Sequence, residues 1–261
     1  MPAFLYKVLA LVAMFFDHAA AVFPDYFPLW YRIIGRLTFP IFVYLLAEGF
    51  RYTRDHWKYL FRLFAFAIIS QPFYSVTLGR NPEILRGYYP WYLDFVNSMS
   101  FSDRTNIFYT LFLGAVGIVV AKLAIGTSDK WYNPLQKKSW EIWLTIALST
   151  MGLMWLASYL GTDFGHRGVL FVVLMYVVKP KWLRLLVMAV MCVWLHEVTI
   201  RFYLDDIRIP VEFYWMILST LLTVPLMAFY NGKRGPSLKW LFYAAYPVHL
   251  AVLAVAAWII L

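Results

Sequence analysis

The stretch NIFYTLFLGAVGIVVAKLAI, Asn106–Ile125, carries one charge, Lys122, and no proline. A helix that crosses a bilayer needs about 20 mostly apolar residues, and this stretch supplies them. Its centre, Leu111–Val120, does not alternate apolar with polar side chains, as a strand of a transmembrane barrel would. Eight more stretches read the same way, at roughly 5–23, 33–50, 58–78, 141–160, 164–178, 182–199, 212–230 and 238–260. The composition agrees. Of 261 residues 62% are hydrophobic and 14% charged, with a mean hydropathy of +0.65; soluble domains carry roughly 25% charged residues. A soluble fold of this size lacks the interior for so many apolar side chains, and a disordered chain would lack the apolar residues themselves. The predicted fold class is all-α: a polytopic transmembrane helical bundle of about nine spanning helices, forming one integral-membrane domain over residues 1–261.

The net charge of +9 is informative by position. Under a nine-span reading, four connections on one side carry Arg51, Arg54 and Lys58; then Lys122, Lys130, Lys137 and Lys138; then Lys179, Lys181 and Arg184; then Lys233, Arg234 and Lys239. With Lys7, all ten lysines fall on that side. The other side holds only arginines, among them Arg32, Arg80, Arg86, Arg104, Arg167, Arg201 and Arg208. An excess of Lys and Arg marks the cytoplasm, so the N-terminus is expected inside and the C-terminus outside. The short sixth stretch must cross, or the 179–184 cluster would fall on the wrong side. Without a separate basic domain, a nucleic-acid role is not expected. Lys7, the apolar run Val8–Phe16 and Ala19-Ala20-Ala21 mimic a signal peptide, but Asp17-His18 interrupts the join and apolar character resumes toward Phe23, so a retained first span is expected. The longest connection, about 79–105, is expected outside. Its cluster of Tyr88, Tyr89, Trp91 and Tyr92 suits the headgroup level, as a surface belt or as a lid over an outward-facing site.

Ionisable groups inside spans are costly and mark function by default. Span one carries Asp17 and His18. His18 lies eleven residues beyond Lys7, about 16 Å deeper and only ~20° round the helix, so the two share one face with the imidazole near the membrane midplane. Asp17 lies about 100° away and faces elsewhere. Span two carries Arg36 about one turn from its outer end and Glu48 near its inner end, where Arg51 is also an i,i+3 partner. Span nine carries His249 at a depth similar to that of His18. His56, His166 and His196 fall near span ends and read as ordinary. No metal site is expected, because His18 and His249 lack further ligands at known spacing. The single Cys192 excludes an intramolecular disulfide and reads as inert core.

Asp17-His18, followed by Gly35-Arg36-Leu37-Thr38-Phe39-Pro40, resembles the TraX family, membrane acetylases of conjugative pilin. Asn106-Ile107-Phe108, Gly161-Thr162-Asp163-Phe164-Gly165 with Gly168, and Tyr246 with His249-Leu250 extend the resemblance over nearly the whole chain. That family is similar to acyltransferase-3-type membrane acetyltransferases, whose basic residue ahead of a first-span histidine matches Lys7 and His18, and whose R-x-x-R pair matches Arg51-Tyr52-Thr53-Arg54. The larger group usually has ten or more spans, so only these positions carry over. The resemblance implies an enzyme of the bacterial inner membrane, passing an acetyl group from cytoplasmic acetyl-CoA to an acceptor amine or hydroxyl, such as a pilin N-terminus. Lys7, Arg51, Arg54 and Lys58, with Glu48 beside them, would bind the CoA phosphates, which arginine forks suit. His18 would be the general base or would carry a covalent acetyl group. Arg36 would stabilise the oxyanion or hold the acceptor, Asp17 would orient a neighbour, and His249 would be a second site residue. The rival reading is a proton-coupled transporter using Asp17, His18, Glu48 and Arg36, although no second span mirrors the first as an inverted repeat would.

Overall fold

The computed structural model describes residues 1–78, 104–126, 139–196, 211–236 and 238–260. The external loop expected over 79–105 therefore lies outside the described residues up to position 103, as do Lys130, Lys137 and Lys138. The described helices are α1 (Ala3–Val22), α2 (Trp30–Gly35), α3 (Thr38–Tyr52), α4 (His56–Thr77), α5 (Ile107–Ile125), α6 (Ser139–Tyr159), α7 (Gly165–Val177), α8 (Lys181–Trp194), α9 (Val211–Ala228) and α10 (Lys239–Ile260). α2 and α3 together make the expected second span, so the order is that of the nine-stretch reading. Among the described residues six segments are long and apolar enough to cross a membrane, and the molecule is an all-α polytopic bundle.

Local chemistry sets several helix ends. Asn106 accepts from the Phe108 N–H to start α5, and Asp55 accepts from the Lys58 N–H to start α4, as N-cap side chains do. Gly126, at φ 72°, ends α5. The second span is not the continuous helix that its hydropathy predicts, since Arg36 and Leu37 form a turn between α2 and α3. Pro40 is the reason. It has no N–H for the Arg36 carbonyl, and its ring clashes with that carbonyl in a continuous helix. In the first turn of a new helix the missing donor costs nothing.

The sixth span is shorter than its stretch suggests. α7 has 13 residues, about 20 Å at 1.5 Å per residue, against a ~30 Å hydrocarbon core. It still runs beside α5 in the same direction: Thr110 meets Gly168, Gly114 meets Val172 and Gly117 meets Val173. The backbones approach closely there because one partner of each pair is glycine, the usual device between membrane helices.

The chain ends that the lysines assign to the cytoplasm gather at one end of the bundle. Met1 N donates to Phe229 O (2.7 Å), Ala3 N to Lys233 O (2.8 Å), and Lys181 Nζ to Ala228 O (2.7 Å). Arg51 Nη2 reaches the end of α7 at Tyr176 O (2.8 Å). At the opposite end Thr105 pairs with Thr162. α1, α3, α5, α4 and α10 each pack on the next and close a ring, with α7 behind α3 and α5 and with α6, α8 and α9 outside. This ring positions the site.

Candidate functional site

The ring borders a cavity of about 1510 Å³, which residues of α2, α6, α7 and α9 also line. α1 lines it with Ala3, Lys7, Leu11, Met14, His18 and Ala21. Steps of three and four residues make a single helical stripe. From Ala3 to Ala21 the stripe is about 27 Å long at 1.5 Å per residue, so the cavity runs nearly the depth of the layer. Lys7 and His18 do share one face. The helices of the two histidines are offset along the bundle. His18 stands in the outer third of α1, whereas its partner His249 stands near the middle of α10.

The two histidines meet. His18 Nδ1 lies 2.6 Å from His249 Nε2, with the rings stacked 4.9 Å apart. Tyr246 sets its ring edge-on to both, at 5.9 Å and 5.5 Å. His249 Nδ1 is 2.7 Å from Ala245 O. A carbonyl only accepts, so His249 Nδ1 carries the proton and its Nε2 carries a lone pair. His18 Nδ1–H must then donate to that lone pair. This assignment from the network leaves His18 Nε2 with a lone pair and no partner among the described residues, on a residue that lines the cavity.

One residue away on the helix, Asp17 faces α2. Arg36 Nη2 donates to both of its oxygens, at 2.8 Å and 2.9 Å, and Arg32 Nη1 lies 2.9 Å from Oδ1. Arg36 Nε also donates to Arg32 O (3.1 Å). Gly35 makes this close approach possible, since a Cβ there would stand 2.2 Å from Asp17 Cβ. Asp17 thus holds the two arginines against the cavity wall beside the histidine pair.

Glu48 has different company. It bonds Arg184 and lies 3.3 Å from Arg51 Nε, while the Arg184 guanidinium sits 4.6 Å above the Tyr44 ring. Arg184, counted above among the cytoplasmic markers, is buried at 7% exposure, because Glu48 supplies the partner it needs inside. Arg51 spends Nη2 on the carbonyls of Met175, Tyr176 and Val178, which have no partner at the end of α7. Lys58 lies outside the ring, paired with Asp55 at 3.0 Å. Of the basic residues expected at the inner mouth, Lys7 and Arg54 line the cavity, whereas Arg51 and Lys58 do not. Arg62 and Arg234 stand there instead. Arg62 was legible as an arginine inside the third span, the same signal that marks Arg36. Arg234 was visible only as a topology charge.

At the outer end stands Asp163, which the sequence places in the Gly161–Gly165 motif of the resemblance without a site role. It lies in the α6–α7 connection between Gly161 (φ 59°) and Gly165 (φ 51°), left-handed positions that glycine fills without strain. Phe164 stacks on Phe39 with centroids 3.6 Å apart. Asp163 is exposed to the cavity, and desolvation pushes its carboxyl up to about 6 against the opposing field of Arg36. His166 and His196 also line the cavity, bonded to Ser158 Oγ and Thr220 Oγ1. Asn106 has a structural role: it bonds Ala67 O and Gln71 Oε1 across to α4. No group of side chains suited to holding a metal occurs among the described residues.

A multi-pass helical membrane protein with a long polar cavity and a histidine pair in its wall is the class that this fold and site define. The chain belongs to the TraX family: the family described as TraX protein matches residues 4–257. It is also similar to the probable fimbrial assembly protein FimC, serogroup H1, of Dichelobacter nodosus, with 29% identity over 97% of this chain and 95% of the relative. No solved structure matches it.

Proposed function

We propose that the protein is an acetyltransferase of the bacterial inner membrane, taking the acetyl group of cytoplasmic acetyl-CoA to an acceptor amine or hydroxyl at or beyond the membrane. The observation that carries this reading is the open lone pair on His18 Nε2, held by His249 in the wall of a cavity that reaches from a cationic inner mouth to the outer end. The fimbrial name of the relative and the family resemblance favour a pilin-related acceptor.

The residues present fit the donor. Its phosphates need cations, and Lys7, Arg54, Arg62 and Arg234 line the inner mouth. The cavity exceeds the roughly 300–1,000 Å³ of ordinary small-ligand sites, as a long pantetheine arm requires. When bound, acetyl-CoA supplies an activated acyl carbon and a thiolate leaving group. His18 Nε2 takes the proton of the attacking nitrogen or oxygen as that atom bonds to the acetyl carbon. The carbon–sulfur bond breaks, and the proton passes from His18 to the departing sulfur. His249 keeps accepting from His18 Nδ1–H throughout, so it stabilises the imidazolium that forms without exchanging a proton. Arg36, fixed by Asp17, presents positive charge to the same wall, where a developing oxyanion gains most from it.

Calorimetry with acetyl-CoA on detergent-purified protein tests the reading. Binding is expected to survive His18→Ala and to weaken in an Arg62→Ala/Arg234→Ala double variant, and thiol release with an acceptor is expected to need His18. Absence of binding to folded wild-type protein would favour the proton-coupled transporter.

A further inference from the structure

Two opposite charges at the outer end of the cavity are left without each other. Arg104 and Asp163 both line it and both are exposed to it. Their backbones are fastened side by side: Thr105 N donates to Gly161 O (3.1 Å), Thr105 bridges to Thr162, and Gln71 Nε2 holds Arg104 O (3.2 Å). The charges feel one another, yet no ion pair joins them among the described residues. Asp163 accepts one long contact, from the Tyr74 hydroxyl at 3.4 Å. The Arg104 guanidinium has no hydrogen bond or ion pair to any described residue. Asp17, by contrast, is saturated by two arginines. An exposed carboxylate and an exposed guanidinium, on backbones fastened side by side and without an ion-pair partner for either among the described residues, present opposite charges together to whatever enters the cavity.

We propose that Asp163 and Arg104 form a subsite for a zwitterionic group, receiving an ammonium on Asp163 and a carboxylate or phosphate on Arg104. The guanidinium is suited to both anions. The carboxyl of Asp163 remains mostly ionised at neutral pH, although desolvation moves it to about 6. The Asp163 turn is pinned by Thr162 against Thr105 and by Phe164 against Phe39, so the site is preorganised and ordering it for a ligand costs little. That this group belongs to the acetyl acceptor rests on the function proposed above; the subsite itself does not.

The test uses four small probes on the full-length detergent-purified protein: β-alanine, O-phosphoethanolamine, ethanolamine and propionate. Calorimetry on His18→Ala protein reads binding separately from turnover. At least one zwitterion is expected to bind about tenfold or more tighter than ethanolamine and propionate, the scale of one charge-assisted hydrogen bond. Preference for β-alanine points to an amino-acid or peptide source, and preference for O-phosphoethanolamine to a lipid headgroup. Arg104→Gln is expected to abolish the advantage of zwitterion over ethanolamine, and Asp163→Asn the advantage over propionate. Arg104→Lys and Asp163→Glu are expected to keep part of each, which guards against a merely misfolded variant. Equal affinity for all four probes, or preferences that survive both neutral substitutions, would overturn the subsite even if thiol release from acetyl-CoA were seen. Zwitterion binding that needs both residues, without any thiol release, would sustain the subsite and count against the acetyltransferase.

Discussion

Asp17 and Glu48 each sit in a predicted span, and each pairs with two arginines. The surroundings make them different. Asp17 gathers Arg32 and Arg36, which remain 33% and 24% exposed at their side chains, and all three line the cavity beside His18. Glu48 gathers Arg51 and Arg184. Arg184 is packed away against Tyr44, and Arg51 closes the end of α7. The outer triad places all three charges on the cavity wall, whereas in the inner triad only Glu48 lines the cavity and its two arginines hold helices together. Two clusters of the same composition can therefore differ in setting, and the deciding property is whether the arginines themselves line the cavity, as Arg32 and Arg36 do, or lie away from it, as Arg51 and Arg184 do.

The comparison can be sharpened by substitution, beginning with the largest effect. His18→Ala is expected to lower acetyl transfer by about 10²–10⁴-fold while leaving the thermal unfolding midpoint close to wild type; an unchanged rate in a thiol-release assay would remove the base from the outer site. Glu48→Ala should act on stability, since it leaves Arg184 buried without a partner, at a cost of about 3–5 kcal/mol. Thermal unfolding in detergent checks this, and a wild-type midpoint would place Glu48 with the functional group. The Arg62→Ala/Arg234→Ala double variant should weaken acetyl-CoA about 100-fold, near tenfold for each charged contact, read by calorimetry. Gly35→Ala drives a methyl into Asp17 and should cost about 1–3 kcal/mol by overpacking, with a loss of turnover from the displaced Arg36. Retained turnover would show that the α1–α2 approach does not matter to the outer triad. Lys58→Ala is expected to leave acetyl-CoA affinity unchanged, and a weakening would return Lys58 to the inner mouth.

Much of the site was legible from spacing. A helix places residues eleven apart on one stripe, so Lys7 and His18 could be aligned before any fold was known. The depth argument also brought His18 and His249 to a common level, and here they touch. The neighbours of the arginines were not legible. Arg51 and Arg54 look equivalent in R-x-x-R, but Arg51 turns to α7 carbonyls 124–127 residues away while Arg54 meets the cavity. Arg184 and Arg234 look like matching topology charges, yet one is in the core and the other in the mouth. Asp163 sits in a connection between spans, where an acidic residue carries no cost that sequence reading can detect. Its setting comes from Tyr74 of α4 and from Thr105 ahead of α5, which are distant in the chain.

The sequence by itself determined the helical membrane class, the order of the spans, the lysine-marked end and the ionisable residues of α1 and α10. These follow from hydrophobic run length, charge asymmetry and the 3.6-residue turn, all of which act within a single segment. Only the tertiary structure decided which charges pair, which ones face the cavity, and which nitrogen of His18 is left open. Those outcomes depend on carbonyls and carboxylates brought together from other helices, and short-range hydrogen-bonding geometry selects among partners that a linear chain cannot rank.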